Sequence, residues 1–214
     1  MTYPAWQPSL LDGGAVGFDD AFTGVRRREL ADGAWVEHRP GWCRGADALF
    51  ARLLEETPWR GRDVRMYDRT LAEPRLTHRW VLGEGGDRSG HDAPDHGLPD
   101  DLHAMADALS AHYGIRFTQV GVNLYRDGAD SVAWHGDRVA RELPEATVAL
   151  VSLGAIRPFR LRPAGGGPSV LYRTGPGDLL VMGGSCQRTW QHAVPKCRGV
   201  GPRISVQFRH AYVR

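Results

Sequence analysis

From residue 117 onward the chain breaks into short β-rich runs, at 117–125, 146–153, 157–161, 169–173, 178–182 and 203–209. Glycine and proline clusters separate them, including Pro163-Ala-Gly-Gly-Gly-Pro168 and Gly175-Pro-Gly-Asp178. Such punctuation restricts the chain to short strands joined by turns. With 27 glycines and 14 prolines among 214 residues, the whole composition favours this pattern. Two helices are expected before it. Ala46 to Thr57 has apolar residues at helical spacing and ends before Pro58, and Pro99 to Tyr113 carries Leu102, Met105, Leu109 and Tyr113 on one stripe. Helices followed by antiparallel strands predict an α+β fold whose core is a double-stranded β-helix, the jelly roll.

Residues 1–45 read as an extended arm with short strands, and 63–82 as strand and loop. The polar, turn-rich segment 83–97 reads as a mobile loop. Its His91, Asp92, Asp95 and His96 are metal-binding residue types, but a solvated loop is the better reading. A length of 214 residues suits one domain. Residues 1–97 are expected to form its N-terminal part, and 98–214 a helix plus the catalytic core. The net charge of +2 does not establish a nucleic-acid partner. Two local clusters could still matter, Arg26-Arg27-Arg28 and the arginines at 157, 160 and 162. The opening Met-Thr-Tyr-Pro-Ala-Trp has no secretory pattern, and no apolar stretch approaches the roughly 18 residues of a membrane span. A cytoplasmic monomer without membrane partners is expected.

The chemistry concentrates on His135, Asp137 and His192. His135 and Asp137 stand two apart, so on a strand both side chains point to one face. His192 follows 55 residues after Asp137, room enough for several strands of one barrel. Two imidazoles and one carboxylate on one face of a metal are the signature of non-haem Fe(II) oxygenases. Cys186 and Cys197 flank His192, so zinc competes for the same region. A structural zinc site wants a fourth thiol or imidazole nearby, and none is obvious. Three cysteines, at 43, 186 and 197, show no disulfide framework. His38, His103, His112 and His210 give no reason to be read as ligands.

Taken in order, Asn123-x-Tyr125, His135-x-Asp137, His192 and Arg203-x5-Arg209 resemble the AlkB family of 2-oxoglutarate- and Fe(II)-dependent dioxygenases. The resemblance covers roughly residues 60–210. It implies oxidative demethylation of alkylated nucleobases, with formaldehyde, succinate and carbon dioxide released. The cofactors it implies are Fe(II), held by His135, Asp137 and His192, with 2-oxoglutarate and O2 at the open positions. By the same resemblance, Arg203 with Tyr125 would hold the distal carboxylate of 2-oxoglutarate, and Arg209 with Asn123 the carboxylate next to the iron. The residue chemistry agrees, because an arginine fork binds both oxygens of a carboxylate. On a strand, 203, 205, 207 and 209 also share one face.

The segment Pro74-Arg75-Leu76-Thr77-His78-Arg79-Trp80 looks like the family's nucleotide-recognition lid. Trp80 is the expected stacking residue for an extruded base, supported by His78 and Tyr67. The alternative for Trp80 is core packing. Arg138 and Val139 follow the metal aspartate. Many members carry an acidic residue where this chain has Val139, and some carry Asn where it has Ser205. The partner is therefore read as alkylated DNA, single- or double-stranded, with RNA open. The other readings are the same iron chemistry on a small molecule or a protein side chain, and a non-catalytic nucleic-acid-binding or iron-sensing module.

Overall fold

The computed structural model describes residues 14–66, 69–82, 97–137 and 143–210, with 62–66 and 69–72 described by their backbone. Tyr67, Arg138, Val139 and the four metal-type residues of the 83–97 segment lie outside the described residues.

Short strands β1 (Gly17–Phe18), β2 (Arg26–Glu29), β3 (Ala34–Arg39) and β4 (Cys43–Arg44) lead into helix α1 (Ala46–Glu56). Strands β5 (Arg60–Met66) and β6 (Arg69–Val81) form a hairpin, followed by α2 (Asp100–Tyr113). Next come β7 (Gln119–Tyr125), β8 (Val132–His135), β9 (Val148–Gly154) and β10 (Arg157–Pro163). The chain continues through β11 (Val170–Thr174), β12 (Leu179–Gly184), the single turn α3 (Cys186–Thr189), β13 (Trp190–Val194) and β14 (Arg203–Arg209).

Both long helices lie close to their expected spans, for the expected reasons. α1 buries Leu49, Phe50, Leu53 and Leu54, and α2 buries Leu102, Met105 and Leu109. Gly45 starts α1 at φ 63, where a Cβ would meet the carbonyl oxygens of Gly14 and Ala15 at 2.8 Å. Gly114 ends α2 in the same left-handed conformation, the usual glycine stop. Among the described residues, no helix is long and apolar enough to cross a membrane.

Twelve of the strands form two antiparallel sheets. The larger has the order β2-β3-β12-β9-β14-β7-β6-β5, and the smaller β11-β10-β13-β8. This is the jelly-roll arrangement of two facing sheets. Strands from both sides of residue 97 share the larger sheet, so the N-terminal part is more than an arm. Its β3 pairs with β12 over six residues.

Strand alternation divides the core in two. Val120, Val122 and Leu124 of β7, with Ile204, Val206 and Phe208 of β14, pack under α1 and α2. The opposite face looks at the smaller sheet, where Tyr125, Val148, Leu150, Phe159, Leu161, Leu180 and Met182 form the interior cluster. The polar residues of β7 and β14 lie on that interior face, and they build the site.

Candidate metal and co-substrate site

His135 ends β8, Asp137 follows two residues later, and His192 lies in the middle of β13. β8 and β13 are neighbours, and His192 pairs with His135 across them. The two Nε2 atoms stand 3.6 and 3.8 Å from the same oxygen, Oδ1 of Asp137. Ligand-type atoms of all three residues fall within 4.8 Å of one another, and among the described residues no other such group occurs. No cysteine joins them. Cys43, Cys186 and Cys197 form no disulfide, and among the described residues none of them joins a metal-type cluster, so the zinc reading has no cluster behind it.

The surroundings fix this geometry. The Nδ1 of His135 lies 2.8 Å from the Ala133 carbonyl; donation there leaves Nε2 to face Asp137. The ring of His192 stacks on Phe159 at 5.4 Å. Gln187 of α3 accepts a hydrogen bond from the Asp137 backbone N–H at 2.9 Å. Gly136 has no room for a side chain, since a Cβ would lie 2.9 Å from the Gln187 carbonyl oxygen.

Burial pushes the Asp137 carboxyl upward, but the charge of Arg209 and the facing imidazoles prevail and hold it well below the usual carboxylate range. Burial drives His192 down to about 3, so its ring is neutral. Two buried acceptors and the part-exposed His135 imidazole therefore converge, and a bound cation would satisfy them. Their donor set is the two-His-one-carboxylate set suited to Fe(II).

The arginines lie on β14 as alternation requires. Arg209 reaches Asp137, with its Nε 3.1 Å from Oδ2. Arg203 is 1% exposed and pairs in register with Tyr125. Its Nε donates to the Ser152 hydroxyl at 2.9 Å, while Nη1 is buried without a hydrogen-bond partner. Burial lowers Arg203 to about 10. Arg157 and Arg203 approach the Tyr125 ring at 5.4 and 5.3 Å. Arg157 donates to backbone carbonyls, whereas the buried Arg203 has no carboxylate partner among the described residues and keeps one terminal nitrogen unbonded, which suits an anion such as a carboxylate. Asn123 and Ser205 face each other across β7 and β14 and line one cavity with Tyr125, Arg209 and the metal-type residues.

That cavity has a volume of about 310 Å³ and joins the metal-type residues to β6. Here the structure corrects the sequence reading. Trp80 pairs with Val120 and His78 with Val122, which places both on the helix-covered face. Trp80 is 1% exposed, borders a separate cleft with Leu53, Thr57 and Pro99, and takes the His78 ring edge-on at 4.5 Å. It packs the core and is not part of the cavity wall. His78 borders the cavity, but its register is that of the core face.

The cavity wall is the other face of β6, with Glu73, Arg75, Thr77 and Arg79 at every second position. Thr77 pairs with Asn123 and Arg79 with Gly121, both on the cavity side of β7. Glu73 and Arg75 form an ion pair at 3.3 Å. Sequence reasoning includes Arg75, Thr77 and Arg79 in the lid segment without singling them out and leaves out Glu73, although their signal is the alternation of a polar stripe with Leu76, His78 and Trp80.

Residues 42–209 match the model of the 2OG-Fe(II) oxygenase superfamily. The alpha-ketoglutarate-dependent dioxygenase alkB homolog 3 of Bos taurus is 33% identical over 187 residues, covering 81% of this chain and 65% of its own length. The human protein of that name is 32% identical over the same span. The DNA oxidative demethylase ALKBH2 of Arabidopsis thaliana is 30% identical over 192 residues, covering 75% of this chain and 60% of its own. The chain thus spans less than two thirds of the length of these relatives. The solved structure of OsALKBH1 superimposes with a TM-score of 0.58 at 16% identity, covering 86% of this chain and all of that one. At that identity the likeness concerns the fold.

Proposed function

From the premise that the chain belongs to the 2OG-Fe(II) oxygenase superfamily, and within it to the AlkB family, we propose that it oxidatively demethylates alkylated nucleobases in DNA or RNA. The observation that carries this reading is one cavity with two kinds of wall. The smaller-sheet side bears His135, Asp137 and His192, and the larger sheet bears Arg209 and the polar stripe of β6.

In this reading His135, Asp137 and His192 hold Fe(II). Bound iron and 2-oxoglutarate together supply the oxidation by O2 that releases formaldehyde, succinate and carbon dioxide. The protein's own groups do the rest. Arg203, with Tyr125, supplies the buried positive charge for the distal carboxylate of the co-substrate. Arg209 and Asn123 orient the carboxylate nearer the metal. Gln187 keeps Asp137 in place through its backbone. Val148, Leu150, Met182 and Phe159 line the cavity with apolar surface and limit water.

A base must leave the stack to reach this cavity, at a cost of a few kcal/mol. The β6 stripe is positioned to compensate part of it. Glu73, fixed by Arg75, offers an acceptor to the base edge, while Thr77 and Arg79 offer donors. The test is mass spectrometry of methylated and etheno-adducted DNA and RNA oligonucleotides after incubation with protein, Fe(II) and 2-oxoglutarate. Loss of the alkyl mass from at least one is expected. Unchanged masses across the panel, with active co-substrate turnover, would reject nucleic acid as the substrate.

A further inference from the structure

The sequence cluster Arg157, Arg160 and Arg162 divides on folding. Arg157 turns inward, where its guanidinium donates to the carbonyls of Asp127, Asp130 and Pro195. Arg160 and Arg162 alternate with the buried Phe159 and Leu161, so they stand on the outer face of the smaller sheet. Arg173 joins them, because it pairs with Pro158 on the same face. The strands Val132–His135, Arg157–Pro163, Val170–Thr174 and Trp190–Val194 contain no aspartate or glutamate. Among the described residues, none of the three outward arginines pairs with a carboxylate.

An aromatic ring lies within this patch. The Arg162 guanidinium sits 4.2 Å from the centroid of Trp134 and donates to Gln191 at 3.3 Å. Trp134 immediately precedes His135, and Gln191 immediately precedes His192. The two metal-type imidazoles therefore point into the cavity, while their neighbours begin the basic face. β8 is the edge strand of the sheet, and its Val132 and His135 line the cavity together with the β6 stripe. A chain leaving the cavity over β8 meets Trp134 first, then Arg162 and Arg160 on β10, then Arg173 on β11. That path crosses three interstrand steps, about 14 Å.

The geometry points to this outer face as a docking track for the phosphate backbone flanking the base held in the cavity. The inference rests on the proposed nucleic-acid substrate and adds where the polynucleotide lies. Charge complementarity selects the occupant. Arg160 donates to the Ser169 hydroxyl and Arg162 to Gln191, but none of the three guanidinium groups has a carboxylate partner among the described residues, so their charges suit successive phosphates.

The test compares wild type with an Arg160→Gln/Arg162→Gln/Arg173→Gln variant, using fluorescence anisotropy of a labelled 15-nucleotide single strand over a range of KCl. Three lost phosphate contacts should reduce the slope of log K against log salt by about 2, at about 0.7 per phosphate. An Arg160→Gln/Arg173→Gln variant keeps the Arg162–Trp134 stack, and its slope should fall by about 1.4. Succinate formation without nucleic acid, and turnover of methylated mononucleoside, should stay at wild-type values in both. Wild-type slopes in both variants would overturn the track, as would tighter wild-type binding to a poly-glutamate chain of equal charge. Failure of the wild type to oxidise any methylated base would instead remove the functional reading, and the anisotropy series would still decide the track on its own.

Discussion

The Nε of Arg209 lies 3.1 Å from Oδ2 of Asp137, so a β14 arginine faces the carboxylate that both imidazoles approach. Under the proposed function, this one contact would couple co-substrate orientation to metal binding. Arg209→Ala should raise the 2-oxoglutarate requirement more than tenfold, since a charge-assisted hydrogen bond contributes about 1.5–3 kcal/mol. Lysine should rescue it only in part, because it lacks the two-pronged geometry. Co-substrate titrations of succinate formation would check this, and an unchanged requirement in Arg209→Ala would refute it.

Arg203 is a different case, since it is buried and its Nη1 has no hydrogen-bond partner. Added 2-oxoglutarate should raise the melting temperature of the wild type in the presence of Mn(II). The increment should vanish in Arg203→Met, whose apolar side chain removes the buried charge. An equal increment in both proteins would place the distal carboxylate elsewhere.

Trp80 should behave as core. Trp80→Ala is expected to cost about 3–5 kcal/mol of stability, the usual range for a buried Trp truncation. Co-substrate decay and base demethylation should then decline together. A variant that keeps its denaturation midpoint but loses only nucleic-acid turnover would restore Trp80 to the site.

That reversal shows what the sequence could and could not carry. The helices and the strand runs after 117 were readable because their apolar periodicity and Gly/Pro stops are local signals. The order of His135, Asp137, His192, Arg203 and Arg209 marked the site, and pairing of β8 with β13 brings the first three together. β13 leaves no clear sequence signal, because Trp-Gln-His-Ala-Val is short and follows directly on the α3 turn. Sequence alone leaves Trp80 between lid and core, because a tryptophan in a polar strand suits either side. Only the pairing with β7 settles its direction, and that pairing is a long-range contact.

Burial holds the His192 ring neutral down to about 3, against 6.5 for an exposed imidazole. The unfolded chain takes up a proton near 6.5, while the folded metal-free protein does not. This group's contribution to stability is thus complete above pH 6.5 and lost progressively as the pH falls towards 3. Urea midpoints of metal-free protein should drop between pH 7.5 and 4.5, and His192→Leu should show a smaller drop. An identical pH dependence in the two proteins would contradict the assignment.

The thiols offer an independent check on the fold. Cys43 and Cys186 are 3% and 2% exposed, and burial pushes the Cys186 thiol up to about 12. A thiol reagent at pH 8 should label Cys197 alone in native protein and all three cysteines after denaturation. Rapid native labelling of Cys186 would mean that the turn behind Asp137 is open.

The central claim is that one cavity couples co-substrate oxidation to removal of an alkyl group from a base. Its most direct measure is the ratio of succinate to formaldehyde formed with a methylated oligonucleotide, Fe(II) and 2-oxoglutarate, in wild type and in His135→Ala. The account predicts equal amounts of the two products, strictly dependent on the methyl group, with both lost in the variant. Succinate without formaldehyde, or formaldehyde formation that survives in His135→Ala, would contradict it.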